Sequence, residues 1–246
     1  MVITYLGGCL NRQKNLALNK HHHSVLREKM FDLSGKQPDI QLKNYQSYYN
    51  LSQVVKDVVS QPTDILVLFI RPFPLQAMIK PVIRYTNTRH QRKFFLHTAI
   101  SNHSFPGDER DESAFVNRRL TNVRNLHSLM VRINIVVGRL LGLQNWAINY
   151  IEGELVEAIN QCRLVNTKLI IAGPPAYCVN IQIDQFCARL SDSIAEFCRR
   201  ENVFNVPLWK PSTEARKSFF EEDGIHFNEK GHEHIADSIL NIIQSW

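Results

Sequence analysis

The chain has little of what would staple it, anchor it or leave it unfolded. Its 246 residues hold five cysteines, an odd number, and none stands at the CxxC spacing of a redox or zinc site. That pattern fits reduced thiols and excludes a disulfide scaffold as the basis of the fold. No run reaches the roughly 18 apolar residues that a membrane-spanning helix needs. Ten glycines and ten prolines are too few for a collagen-like or low-complexity chain. The opening stretch, MVITYLGGCLNRQKN, lacks a basic segment followed by an apolar one, so no secretory leader is read there and the expected location is cytoplasmic. Neither an internal repeat nor a linker-like stretch marks a boundary, so residues 1–246 are expected to form a single domain.

What is present suits a globular α/β protein. Hydrophobic residues make up 44% of the chain and charged residues 21%, enough to bury a full core at this length. The net charge is +6, with a local basic excess from Arg84 to Lys93. No aromatic-basic repeat accompanies it, so neither a nucleic-acid nor a membrane partner is expected. Such a surface suits an acidic or phosphorylated partner, a carrier protein among them. The oligomeric state is left open.

Strand-like and helix-like segments alternate. Val2 to Leu6 is a β-rich run ending in Gly7-Gly8, and Asp39 to Leu42 is a weaker one. Asp64 to Ile70 and Lys168 to Ala172 are continuous apolar runs, the pattern of strands covered on both faces. Val203 to Val206 is a short fifth strand. Leu51 to Ser60, Asp184 to Glu201 and His232 to Trp246 carry apolar residues at helical spacing. Glu112 to Asn160 also reads as helical, broken near Gly142, whereas Pro72 to Arg110 looks irregular. This alternation predicts a three-layer α/β/α sandwich with a mainly parallel, five-stranded sheet.

One constellation carries chemistry. Near the C-terminus the chain reads Asp223-Gly224-Ile225-His226-Phe227-Asn228-Glu229-Lys230-Gly231-His232, continuing to Ile235-Ala236. An Asp three residues before a His can orient one imidazole nitrogen and leave the other free as a base. Asn228 is placed to cap the helix that follows, and Gly231 to relieve crowding in its first turn. The whole pattern, DGxHxNxxGHxxIA, resembles the last block of the SGNH (GDSL-type) hydrolases. That resemblance implies a flavodoxin-like fold and ester or thioester hydrolysis or acyl transfer. It implies a nucleophile in the turn after the first strand, where this chain has Gly7-Gly8-Cys9-Leu10-Asn11. Cys9 then stands in place of the family's Ser, with His226 as base and Asp223 as its orienting carboxylate. Gly173-Pro174-Pro175 after a buried strand also fits.

The chain departs from the family at its two oxyanion blocks. After the second strand the family supplies a Gly, where this chain has Asn44-Tyr45-Gln46-Ser47-Tyr48. After the third it supplies an Asn within Gly-x-Asn-Asp, where this chain has Arg71-Pro72-Phe73-Pro74. One lost oxyanion donor typically costs about 2.7–4 kcal/mol of transition-state stabilisation. Arg71 and Asn11 are the candidate replacements, since each offers side-chain donors. Ser47 is a further candidate for substrate contact, and the alternative nucleophile if the enzyme is serine-like.

Cysteine in the nucleophile's place favours acyl transfer as well as hydrolysis. A thiolate attacks readily, and a neighbouring His lowers its pKa. The acyl-enzyme is then a thioester, able to pass its acyl group to a thiol, amine or alcohol. The expected substrate is an acyl ester or thioester, free or carrier-bound, and the chemistry requires no cofactor and no metal. A second reading remains: a catalytically degenerate relative that binds an acyl or glycan ligand, or a protein partner. His232 and His234, two apart on a helix, should face different ways rather than form a metal site with His226. The run His21-His22-His23 reads as a polar loop or a helix start. Cys162, Cys178, Cys187 and Cys198 read as packing or surface thiols.

Overall fold

A computed structural model describes residues 1–7, 16–45, 48–71, 82–88, 91–97, 136–176, 181–208, 218–221 and 226–246, with the backbone alone at 82–88, 91–97 and 181–183. The chain forms two compact units, one from Met1–Pro72 with Tyr150–Trp246, the other from Phe73–Asn149.

The first unit holds the sheet. Its strands are β1 (Val2–Gly7), β2 (Asp39–Asn44), β3 (Ile65–Phe69), β6 (Lys168–Ala172) and β7 (Phe204–Val206), in the order β2-β1-β3-β6-β7. Every pairing is parallel. β3 lies at the centre, and all five of its residues are buried, as a strand covered on both faces requires. On one face Ile3, Tyr5, Ile65, Val67, Phe69, Ile170 and Ala172 share a core with Leu26 of α1 (His22–Ser34) and with Ile235, Ala236 and Ile239 of α5 (Glu229–Gln244). Their alternates, Leu6, Leu66, Leu68 and Ile171, are buried on the other face. The apolar stripes that supply the second layer come from α2 (Leu51–Val59), α3 (Leu143–Leu164) and α4 (Ile181–Glu201), among them Val55, Leu155, Leu190 and Phe197. This is the expected α/β/α sandwich.

Chain order fixes where such a fold collects ligands. From β1 the chain crosses to β2 on one side and returns to β3 on the other. The crevice outside the carboxyl ends of β1 and β3 is therefore a topological switch point, the usual ligand site of open α/β sheets.

In the second unit the structure corrects one expectation. The segment read as irregular contains an antiparallel pair, β4 (Val82–Thr88) and β5 (Gln91–His97), with Thr88 opposite Gln91. Two residues separate the strands, the shortest common hairpin connection. Basic residues interspersed among Val82, Ile83, Tyr85, Phe94, Phe95 and Leu96 hid the β-rich content. The expected helical break is present: a turn at Leu141-Gly142 separates helical residues 136–140 from α3, and Gly142 adopts φ +68°, which a side chain would resist.

Candidate active site

The loop that carries the candidate base is built from backbone pairing. Phe220 and Phe227 form an antiparallel bridge, and the Glu221 amide donates to the His226 carbonyl at 2.8 Å. Asn228 ties this pairing to α5. Its side-chain nitrogen donates to the Ser218 carbonyl at 3.0 Å and the Phe220 carbonyl at 3.3 Å, while its oxygen accepts from the Gly231 amide at 3.0 Å. The expected helix cap is thus also the pin that holds the loop. Gly231 is required by close approach: a Cβ there would overlap the Phe219 carbonyl oxygen and stand 2.7 Å from the Phe227 ring. His226 itself is half-buried. Cys9, Asn11, Ser47 and Asp223 lie outside the described residues.

The ends of β2 and β3 are joined by a knot of two tyrosines and Arg71. Tyr45 and Tyr48 are buried. The Tyr45 hydroxyl donates to the Phe69 carbonyl at 2.7 Å, and the Tyr48 hydroxyl to the Arg71 carbonyl at 2.8 Å. Both hydroxyls accept from the Arg71 amide, at 3.2 and 2.7 Å. The Arg71 guanidinium donates through Nη1 to the Tyr45 carbonyl and lies 5.6 Å over the Tyr45 ring. Burial pushes the Tyr45 hydroxyl up to about 12. So where the resemblance implies two oxyanion blocks, this chain has a closed hydrogen-bonded brace. Its Arg71 amide is already engaged, while Nε and Nη2 of the guanidinium bond no described residue.

A third group was not anticipated. His21, His22 and His23 form the helix start that the sequence allowed, His21 preceding α1 and His22 opening it, but all three are buried. His232, from the first turn of α5, is fully buried against them, with its Nδ1 3.0 Å from His22 Nδ1. The His22 ring centroid lies 5.1 Å from that of Tyr5 and 5.0 Å from that of Phe69. Burial, with His232, His23 and His21 close by, holds His22 well below the usual imidazole range. Burial, then His21 and Arg27, push His23 down to about 4. Burial, then His21, His23 and His226, push His232 down to about 3. The signal was legible: His232, Ile235, Ala236, Ile239 and Leu240 follow one helical stripe, and all are buried. His234, half-buried, instead packs on Phe219 with ring centroids 5.0 Å apart, so the two histidines do face differently. Among the described residues, no three side chains converge as metal ligands.

Outside this cluster the described cysteines, Cys162, Cys187 and Cys198, are buried. Burial pushes Cys162 and Cys198 up to about 12 each, the range of inert packing thiols.

A five-stranded parallel sheet of order β2-β1-β3-β6-β7, with helices on both faces, defines a flavodoxin-like α/β architecture. The family model described as GDSL-like lipase/acylhydrolase matches residues 81–239, more than half of the chain, and the chain belongs to that family. The family implies hydrolase activity on ester substrates. No curated protein matches the chain in sequence. Solved structures of similar fold include a lipolytic G-D-S-L family member from Veillonella parvula, 11% identical, TM-score 0.57, with 100% of each chain covered. A catalytic mutant of an acetylxylan esterase from Geobacillus stearothermophilus is 11% identical at TM-score 0.57, covering 98% of this chain and 93% of that one. A lipase from a goat rumen metagenome is 8% identical at TM-score 0.57, covering 98% of this chain and 96% of that one. At such identities the likeness is one of fold. No helix among the described residues is long and apolar enough to cross a membrane.

Proposed function

We propose that the chain is a cysteine-dependent acyl hydrolase or acyl-transfer enzyme working through Cys9, His226 and Asp223. The observation that carries this reading is the switch point. β1 ends at Gly7 beside β3, and Cys9 follows two residues later. The contact of His22 with His232 brings the first turn of α5 to the start of α1, and His226 lies six residues before His232.

In this reading the Cys9 thiolate attacks the acyl carbonyl and a thioester forms. The leaving alcohol or thiol takes its proton from His226, whose charged form Asp223 stabilises. Water, or an acceptor thiol, amine or alcohol, then gives a proton back to His226 and takes the acyl group. Arg71, with two guanidinium nitrogens that bond no described residue, is a donor to the oxyanion or to an anionic group on the substrate. Asn11 and Ser47 are further contacts. The substrate is an acyl ester or thioester, carrier-bound thioesters included, and no cofactor takes part.

One observation favours a second reading. The Arg71 amide, which follows the third strand where the family keeps a donor block, is closed off by two tyrosine hydroxyls. A catalytically silent relative that binds an acyl or glycan ligand, or a protein partner, would tolerate that closure.

Intact mass after exposure to a panel of acyl thioesters and activated esters, followed by peptide mapping, decides between them. An acyl adduct on Cys9 that disappears in Cys9→Ala and His226→Ala is the expected result. Folded protein with neither adduct nor turnover overturns the first reading in favour of the second.

A further inference from the structure

Four imidazoles, three from the start of α1 and one from α5, meet a tyrosine in the interior. His21, His22, His232 and Tyr5 have no exposed surface, and His23 is 8% exposed. Three ring nitrogens, His21 Nδ1, His22 Nε2 and His23 Nδ1, are buried with no hydrogen-bond partner among the described residues, as is the Tyr5 hydroxyl.

The hydrogen bonds at the centre fix the tautomers. His232 Nδ1 accepts from the His22 amide at 3.3 Å, and an amide can only donate. His232 Nδ1 is therefore a lone pair, and its proton sits on Nε2. His22 Nδ1, 3.0 Å from the same atom, must be the second donor, which leaves His22 Nε2 bare. The two rings are 6° from parallel with centroids 5.2 Å apart. Their nitrogens are far closer than their centroids, so they meet at their nitrogen edges, as an N–H···N bond requires.

We propose that the His22–His232 pair is a proton-sensitive clasp, holding the start of α1 to the first turn of α5 only while both rings are neutral and thereby coupling the alignment of Cys9 with His226 to pH. The catalytic half of this rests on the reading above. A proton taken up at His232 Nδ1 removes the lone pair shared by both His22 donors, and N–H then faces N–H. A proton taken up at His22 Nε2 leaves the bond but creates a buried cation with no acceptor among the described residues. The surroundings disfavour either charge. From α1 the cluster faces His21, His23 and Arg27, from the segment before α5 it faces His226, and β1 and β3 supply Tyr5 and Phe69. Both rings also sit at helix N-termini, where the dipole repels positive charge. The carboxylates nearest along α5, Glu229, Glu233 and Asp237, pair outward with Lys20 and Lys29.

The test uses the full chain labelled with nitrogen-15 histidine. At pH 7 the expected imidazole spectra show His22 protonated at Nδ1 and His232 at Nε2. Both should stay neutral below pH 5, where exposed histidines, with a reference pKa near about 6.5, are already charged. Amide exchange at the first turns of α1 and α5 should rise sharply as the pair finally protonates. His232→Asn offers an amide oxygen where Nδ1 stood, an acceptor that takes no proton. It should move that exchange midpoint to lower pH by about half a unit or more. His22→Asn keeps the donor and should do the same. Protonation of either wild-type ring near 6.5 without loss of protection, or a midpoint unmoved in both variants, overturns the clasp. The wild-type spectra decide alone if the variants do not fold. Exchange needs no activity, so a failure of acyl chemistry at Cys9 would overturn the function and leave the clasp standing. Where adducts form, the acid limb of adduct formation should shift with the exchange midpoint in His232→Asn. An unmoved limb overturns the coupling to catalysis.

Discussion

Two hydrogen-bonded braces stand at the carboxyl end of the same sheet, and they use opposite chemistry. At the ends of β2 and β3, Tyr45 and Tyr48 each donate to a main-chain carbonyl and accept from the Arg71 amide. A hydroxyl does both at once, so this knot closes. Between α1 and α5, His22 and His232 share one lone pair, and neighbouring ring nitrogens have no described partner. A neutral imidazole has one donor and one acceptor on opposite sides, so a cluster of them closes only with outside help. The two braces also differ in titration. Burial drives both tyrosines upward, away from neutrality. Burial drives the histidines downward from a reference value that itself lies near neutrality. The first brace is indifferent to acid and the second is poised against it.

The largest expected effect follows from that difference. A histidine whose folded pKa is depressed binds fewer protons folded than unfolded. It costs nothing above about pH 6.5, then removes roughly 1.4 kcal/mol per pH unit as the pH falls toward its folded value. His22, His23 and His232 are all depressed, to about 4 for His23 and about 3 for His232. Urea unfolding should therefore lose several kcal/mol, on the order of 4 or more, between pH 6.5 and 5. Equal stability at those two values would show that the cluster is solvated or already charged, and the contrast between the braces would collapse.

The tyrosine side should answer differently. Tyr48→Phe removes a hydroxyl that satisfies both the amide and the carbonyl of Arg71. Leaving a buried main-chain group unmatched costs about 1–3 kcal/mol. The loss should be the same at pH 7 and pH 5, because the hydroxyl stays protonated throughout. A loss that grew at the lower pH would mean the two braces are one coupled network.

The same contrast explains what could be read in advance. The five strands were legible because β-rich runs stand out: Lys168–Ala172 was bounded to the residue, and Ile65–Phe69 within one at each end. Asn228 and Gly231 were legible because a cap and a close approach each demand a particular residue type. His22 was hidden, because a polar residue at a core position looks like surface until its partner is known, and His232 lies 210 residues away. Tyr45 and Tyr48 were hidden for a related reason. Their hydroxyls serve main-chain groups 23 to 26 residues on, and main-chain partners leave no trace in side-chain pattern. The hairpin of β4 and β5 was missed because charge diluted its β-rich signal.

The smallest expected effect separates the interior of the α1–α5 contact from its rim. Lys29 of α1 reaches Asp237 at 2.5 Å and Glu233 at 3.5 Å, with its side chain 31% exposed and its partners more so. Water and salt screen such a pair, and each long side chain loses freedom to form it. Lys29→Ala should cost no more than about 1 kcal/mol, less still at high salt. The pH slope from the histidines should be unchanged, since the ion pair lies at the exposed rim and the imidazoles in the interior. A cost several times larger, or a flattened slope, would move the hold between these helices from the buried imidazoles to the surface ion pairs. The interior pair would then be a passenger rather than the clasp.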